Sequence, residues 1–277
     1  MTPSRRGFLG TAVGASLAPA FAEPPEPVED SPGFKLGIAT YSFREFSRRI
    51  AIKWTKKLNV SYVNIKDVHL PLKASAKDIE KARKEFHDAG LTILGGGNIT
   101  FDKDDEADIR AKFEYAKAVG MPLIVCAPTA VTLPKMEKYV KEYDIKIAVH
   151  NHGPEDKHFP TPQSVLAVVK NMDPRCGLCI DIGHTARTGV DVVASIREAG
   201  PRLLDMHVKD LTDFSKEEAK VPVGDGIMPF PAIFSELKKM KYQAGVMLEY
   251  EIDEDDPVPA MDRSFGYMRG VLAGLRT

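Results

Sequence analysis

A (β/α)8 barrel of the TIM type, forming a single domain over residues 34–277, is the fold class this sequence predicts. Three observations predict it. From residue 35 onward, eight short β-rich runs alternate with amphipathic stretches of helical period. That region spans about 245 residues, close to what eight strand-helix units need. Finally, four residues of metal-ligand type stand at the ends of four successive apolar runs, where parallel barrel strands bring their C-terminal ends together.

The predicted strands, in order, are Lys35–Thr40, Tyr62–Ile65, Leu91–Leu94, Pro122–Cys126, Lys146–His150, Gly177–Asp181, Leu203–Val208 and Gly245–Glu249. Each is a short run rich in Val, Ile and Leu, as a strand buried on both faces requires. The intervening helices are predicted at Phe46–Leu58, Ala76–Ala89, Glu106–Val119, Pro134–Tyr143, Pro162–Asn171, Val190–Ala199 and Phe230–Met240, with a last one at Pro259–Leu272. Gly90, Gly120 and Gly200 fall where a left-handed residue closes a helix, and Pro162 falls where one opens. A doubly wound open sheet is the alternative, but no Gly-x-Gly-x-x-Gly turn follows the first strand. The stretch Thr212–Met228 is long for a strand-to-helix loop and is expected to cover the barrel mouth.

Ahead of the barrel, Ser4-Arg5-Arg6-Gly7-Phe8-Leu9 reads as a twin-arginine export signal, with an apolar stretch from Phe8 to Ala18 and an Ala20-Phe21-Ala22 cleavage site. Residues 1–22 are therefore expected to be a signal peptide and residues 23–33 a Pro- and acid-rich spacer, with the protein exported to the periplasm. The apolar stretch is too short to span a bilayer, so no stable membrane anchor is expected. A net charge of −1 with interspersed signs argues against a nucleic-acid partner. Three cysteines make no disulfide framework. Cys176 and Cys179 read as a buried structural pair, with oxidation as an option in an exported setting.

The four strand-end residues are His150, Asp181, His207 and Glu249, separated by 31, 26 and 42 residues. One strand-helix unit separates each from the next, so no single helix could present them together. Two imidazoles and two carboxylates suit a divalent transition metal such as Mn, Co, Fe or Zn better than Ca. Barrel geometry also sends Tyr41, Lys66, His69, Asn98, His152 and His184 to the same end, where they are candidate substrate contacts. His207 and Lys209 share one strand face, which makes Lys209 a further candidate for the cavity, and five of the seven histidines fall in this group. His87 and His158 read as surface residues. Gly183 is expected to make a sharp turn between Asp181 and His184. Asn151 and Asp210 are candidate partners that orient imidazole ligands. Phe46 and Trp54 read as outer core, whereas Tyr41 and Phe43 read as sugar platforms or plugs at the mouth.

Five stretches carry a family resemblance: Val149-His-Asn-His-Gly153, Cys179-Ile-Asp-Ile-Gly-His184, Met206-His-Val-Lys-Asp210, Gly224-Asp-Gly226 and Gly245-Val-Met-Leu-Glu249. The chain resembles the xylose isomerase-like TIM-barrel superfamily of sugar phosphate isomerases and epimerases, which also holds inosose dehydratases and endonuclease IV. The resemblance implies Asp181, His207 and Glu249 as ligands, His184 as a substrate contact and Mn or Co as the metal. It implies metal-stabilised enolisation of a small carbohydrate, with Glu249 as base and Lys209, His152 or His184 as acid. Many relatives carry Glu where this chain has His150, so a dehydratase or keto-glycoside lyase is an alternative to an isomerase or epimerase. An exported sugar-binding module without catalysis is another. A nuclease is disfavoured by the balanced charge and the export signal.

Overall fold

The computed structural model describes residues 33–275, so the expected signal peptide and most of the spacer lie outside the described residues. Eight parallel strands close into a barrel: β1 (Lys35–Ala39), β2 (Tyr62–Ile65), β3 (Thr92–Phe101), β4 (Leu123–Pro128), β5 (Lys146–His150), β6 (Cys176–Asp181), β7 (Leu203–Val208) and, last around the ring, β10 (Gly245–Leu248). Two short strands, β8 (Asp210–Leu211) and β9 (Lys220–Val221), pair antiparallel in the long segment after β7. The open-sheet alternative is thereby excluded.

Helices α1 (Arg48–Lys57), α2 (Ala76–Asp88), α3 (Glu106–Val119), α4 (Thr132–Tyr143), α5 (Pro162–Val169), α6 (Ile182–Arg187), α7 (Val192–Ala199), α8 (Phe230–Lys239) and α9 (Val258–Gly274) surround the barrel. Their ends follow local chemistry. The Ser75 hydroxyl accepts the Asp78 N–H ahead of α2, which buries Ile79, Ala82 and Phe86 at helical spacing. Thr161 and Ser164 make a reciprocal cap with Pro162 at the first helical position of α5. Gly120 closes α3 at φ +80°, and Gly90 and Gly200 also take positive φ. No helix among the described residues is long and apolar enough to cross a membrane.

Period-two alternation along each strand sorts side chains into two layers. Ile147, Val149, Leu178, Ile180, Met206, Val208, Val246 and Leu248 point outward into the main core beneath the helices. Leu123, Val125, Ala148 and Cys179 fill the barrel interior, with Leu204 against them. Cys176 and Cys179, three apart on one strand, therefore face opposite layers; both are free thiols. The inward set reaches His150, Asp181, His207 and Glu249, each next to an outward residue (Val149, Ile180, Met206 and Leu248). Register brings Asp181 opposite His207, and the Glu249 N–H bonds Val208 O at 3.1 Å.

Several sequence expectations are corrected. Strand β3 runs to Phe101 instead of stopping at Leu94, because Gly95-Gly96-Gly97 is extended backbone without the side chains that mark a strand. Asn98 therefore lies within a strand, at a register shift between Gly96 and Ile99. Gly183 makes no turn. It belongs to α6, which Asp181 caps by accepting the His184 N–H at 2.8 Å. What Gly183 provides is room, since a Cβ there would stand 2.5 Å from Lys209 Cγ. Phe43 is no platform: it is fully buried, edge-on to Trp54, which also meets Phe46 as outer core.

Candidate metal centre

Four side chains from β5, β6, β7 and the end of β10 converge at the C-terminal mouth of the barrel. The ligand atoms of His150, Asp181, His207 and Glu249 all lie within 4.8 Å of one another. His150 Nε2 is 3.1 Å from His207 Nδ1 and 3.5 Å from Asp181 Oδ2, while His207 Nδ1 is 3.3 Å from Glu249 Oε2. All four are buried. His150, Cys179 and His207 form an overlapping trio, but burial holds the Cys179 thiol well above its ordinary pKa, so it stays protonated and is a poor ligand.

The electrostatics fit a cation. Burial pushes the His150 pKa down to about 3, which keeps its ring neutral and able to ligate. Burial opposes charge on Asp181 and Glu249 too, but the Lys209 ammonium outweighs it, with help from the imidazoles, and both stay ionised well below the usual range. At His207 burial is again outweighed, here first by Glu249, and its pKa lies above the ordinary value. Lys209 Nζ sits 3.0 Å from Asp181 Oδ2, 2.9 Å from Glu249 Oε2 and 3.2 Å from Glu251 Oε2. Those three carboxylates overcome its burial and hold it charged. Asp181 Oδ2 accepts no well-aligned hydrogen bond, and neither His150 Nδ1 nor His207 Nε2 has a partner. Two buried carboxylates and two imidazoles make a donor set suited to a divalent transition metal, with the Lys209 ammonium as counter-charge to the carboxylates.

Above this cluster opens a cavity of about 590 Å³, large enough for a sugar. Tyr41, Lys66, Asn98, His150, His152, His184 and Glu249 line it, together with Glu155, Asp156, Glu217 and Glu251, whereas Lys209 is buried and does not line it. Asn98 Nδ2 donates to His152 Nε2 at 2.9 Å, and Lys66 Nζ donates to the Asn98 carbonyl at 2.9 Å. His184 is largely buried, which lowers its pKa. A second cavity of about 580 Å³ opens at the opposite end of the barrel, walled by Leu94, Leu123, Tyr242 and Asp205, away from the four-residue cluster.

Three expectations for this end of the barrel are corrected. His69 does not reach the cavity. Its ring is buried, with Nδ1 on Thr40 Oγ1 at 2.9 Å and Nε2 near the Phe43 and Phe46 carbonyls, so it ties the first loop together. Asp210 orients no imidazole. Its carboxylate accepts the N–H groups of Leu211, Gly224, Gly226 and Met228 and so pins the base of the covering segment. Asn151 accepts the Asp181 N–H and donates to Thr185, which fixes the end of β6. Glu155, Glu217 and Arg187 were missed because their helix and loops carry no periodic signal toward the mouth. His158 is exposed and His87 half-buried on α2, as expected.

A family model described as "Xylose isomerase-like TIM barrel" matches residues 52–271. The chain belongs to that family. Among curated proteins it is 26% identical over 162 residues to an inosose dehydratase of Mesomycoplasma hyopneumoniae strain 7448, covering 51% of this chain and 53% of that protein. The chain spans about half or less of the length of the curated relatives it matches. Among solved structures, the IOLI protein with a binding zinc atom superposes with a TM-score of 0.72 at 18% identity, covering 86% of this chain and 99% of that one. A D-psicose 3-epimerase in the presence of D-fructose gives 0.67 at 18% identity, covering 88% and 98%. At these identities the structural likeness is one of fold.

Proposed function

We propose that this protein is an enzyme that enolises a sugar or keto-sugar at a divalent metal held by His150, Asp181, His207 and Glu249. The observation that carries this reading is the convergence of those four ligand atoms, within 4.8 Å, on the floor of a sugar-sized cavity. When bound, a divalent cation supplies Lewis acidity; beside two carboxylates and one ammonium it leaves the buried centre with one positive charge, matched to a developing oxyanion. Glu249, kept ionised and reaching the cavity, is the base that removes a proton next to the substrate carbonyl. His152 and His184, which line the same cavity, meet the substrate oxygens, and Tyr41 offers its ring as a sugar platform. Lys209 holds its proton too tightly for a ready acid, so its role is to keep Asp181 and Glu249 charged.

One observation favours a dehydratase or lyase outcome over two-base epimerisation. The position where relatives of this resemblance carry a second glutamate holds His150, a ring whose pKa of about 3 makes it no base at neutral pH. The inosose dehydratase among its relatives is consistent with that outcome. The test is proton-deuterium exchange in D2O with ketoses, inososes and 3-keto-glycosides, with Mn, Co, Fe or Zn and with chelator. Metal-dependent exchange is expected, and released water or aglycone marks the elimination. Sugar binding without exchange in every combination would instead mark a binding module. The residues preceding the barrel are proposed to direct export to the periplasm, so replacing Arg5 and Arg6 by Lys should retain the protein in the cytoplasm.

A further inference from the structure

His184 lines the cavity, and its ring is approached from behind by a side chain that does not. Arg187, one turn further along α6, places Nη1 3.3 Å from His184 Nδ1. The guanidinium is 7% exposed and is itself held from two sides, by Glu155 on the loop after β5 and by Glu217 at 3.7 Å on the covering segment. An arginine carries only donors. The nitrogen that faces it must therefore be an acceptor, which leaves the ring proton of the neutral imidazole on Nε2.

We propose that Arg187 is a positioning residue: it fixes His184 as the Nε2–H tautomer, so this ring offers the cavity a donated N–H and no free lone pair. His184 is then a hydrogen-bond donor to a substrate oxygen and cannot serve as a base through that atom. The neighbouring ring is polarised the other way. His152 Nδ1 lies 3.6 Å from Asp156 Oδ2, which can only accept, and His152 Nε2 accepts from Asn98. The two rings, with centroids 5.6 Å apart, are thus set differently: His184 offers a donated N–H, while the His152 Nε2 lone pair is taken by Asn98. Because Glu217 belongs to the covering segment, the same guanidinium also links the set of His184 to the placement of that segment.

The tautomer stands on geometry alone, whereas its use in turnover rests on the function proposed above. The experiment is long-range proton–nitrogen NMR on the full chain with 15N-labelled histidine and added zinc, which is diamagnetic. The His184 signals are assigned by their loss in His184→Gln. Wild type should show His184 with a pyrrole-type Nε2 and a pyridine-type Nδ1. Arg187→Met should add the Nδ1–H form, and Arg187→Lys, which retains a donor, should not. A wild-type His184 with the proton on Nδ1 overturns the proposal, as does an Arg187→Met spectrum identical to wild type. Should Arg187→Met fail to fold, the wild-type spectrum decides alone. Under the proposed function, Arg187→Met also lowers kcat by about 10-fold with KM changed less, the loss expected for roughly one hydrogen bond. A correct tautomer with no exchange on any sugar counts against the function and leaves the role of Arg187 intact.

Discussion

Replacing Lys209 by Met tests the charge balance on which the metal centre depends. Met keeps most of the apolar stem that passes Gly183 and removes the ammonium. That ammonium lies 3.0 Å from Asp181 and 2.9 Å from Glu249, and Asp181 is fully buried. Removing one partner of a buried pair leaves an uncompensated charge and costs about 3–5 kcal/mol. For a domain of this size each kcal/mol moves Tm by about 2–4 °C, so chelated Lys209→Met should melt about 6–20 °C below chelated wild type. A divalent cation replaces the missing positive charge. At a thousand times its Kd it returns about 4 kcal/mol, and it binds the variant more tightly because the ammonium no longer repels it. The assay is calorimetric melting of both proteins with chelator and across a metal titration. The metal-induced rise in Tm should be larger in the variant. A chelated variant within about 1 kcal/mol of wild type would show that Lys209 is not the counter-charge. Failure of every divalent metal to raise Tm in either protein would remove the metal centre itself.

Three further outcomes follow from the same geometry. Glu249→Gln should lower sugar deuterium exchange by about 10²–10⁴-fold, the usual contribution of a general base, and weaken metal binding as well; exchange within threefold of wild type would reassign the base. Asp205, buried in the barrel interior and bonded by Asn64, has its pKa raised by burial to about 6 from 3.8. Its folded form binds the proton more tightly than the unfolded chain, so this contribution to stability is full below about pH 4 and lost as pH rises through about 6. Asp205→Asn should therefore gain up to about 3 kcal/mol at pH 7.5 and nothing at pH 4, read by denaturant unfolding in chelator. Asp210→Ala should free the segment Thr212–Met228: losing hydrogen bonds to a charged acceptor, at about 1.5–3 kcal/mol, raises protease cleavage there by about 10–100-fold while the barrel's Tm moves little.

The barrel was legible because its strands are short, apolar and regularly spaced, and because its ligands sit at strand ends, where period-two alternation decides which way they face. His150, Asp181, His207 and Glu249 needed only their place in that alternation. His69 stands in a loop instead, where direction depends on the path of residues 40–46, and it turned to the Phe43 and Phe46 carbonyls. Asn98 was placed in a loop because three glycines hide a strand, although it still reached the cavity. Asp210 adjoins the ligand strand, but three of its four partners lie 14 to 18 residues ahead in a segment without periodicity. Glu155, Glu217 and Arg187 meet across three connections, and no spacing rule links them.

His150 stands where the resemblance implies a glutamate, and the surrounding charges suit an imidazole there. A glutamate there would put a third carboxylate beside Asp181 and Glu249, with Lys209 as the nearest buried ammonium. A neutral imidazole keeps the donor atom, 3.1 Å from His207 Nδ1, while removing one buried negative charge. The centre then has a single carboxylate, Glu249, able both to ligate and to take a proton from substrate. Under the proposed function, proton movement is confined to the face of the sugar that Glu249 reaches unless His152 or His184 serves the other. With His184 fixed as a donor by Arg187, only His152 retains a lone pair on that side, and it is shared with Asn98. Loss of a substituent after enolisation asks less of such a site than delivery of a proton to the opposite face.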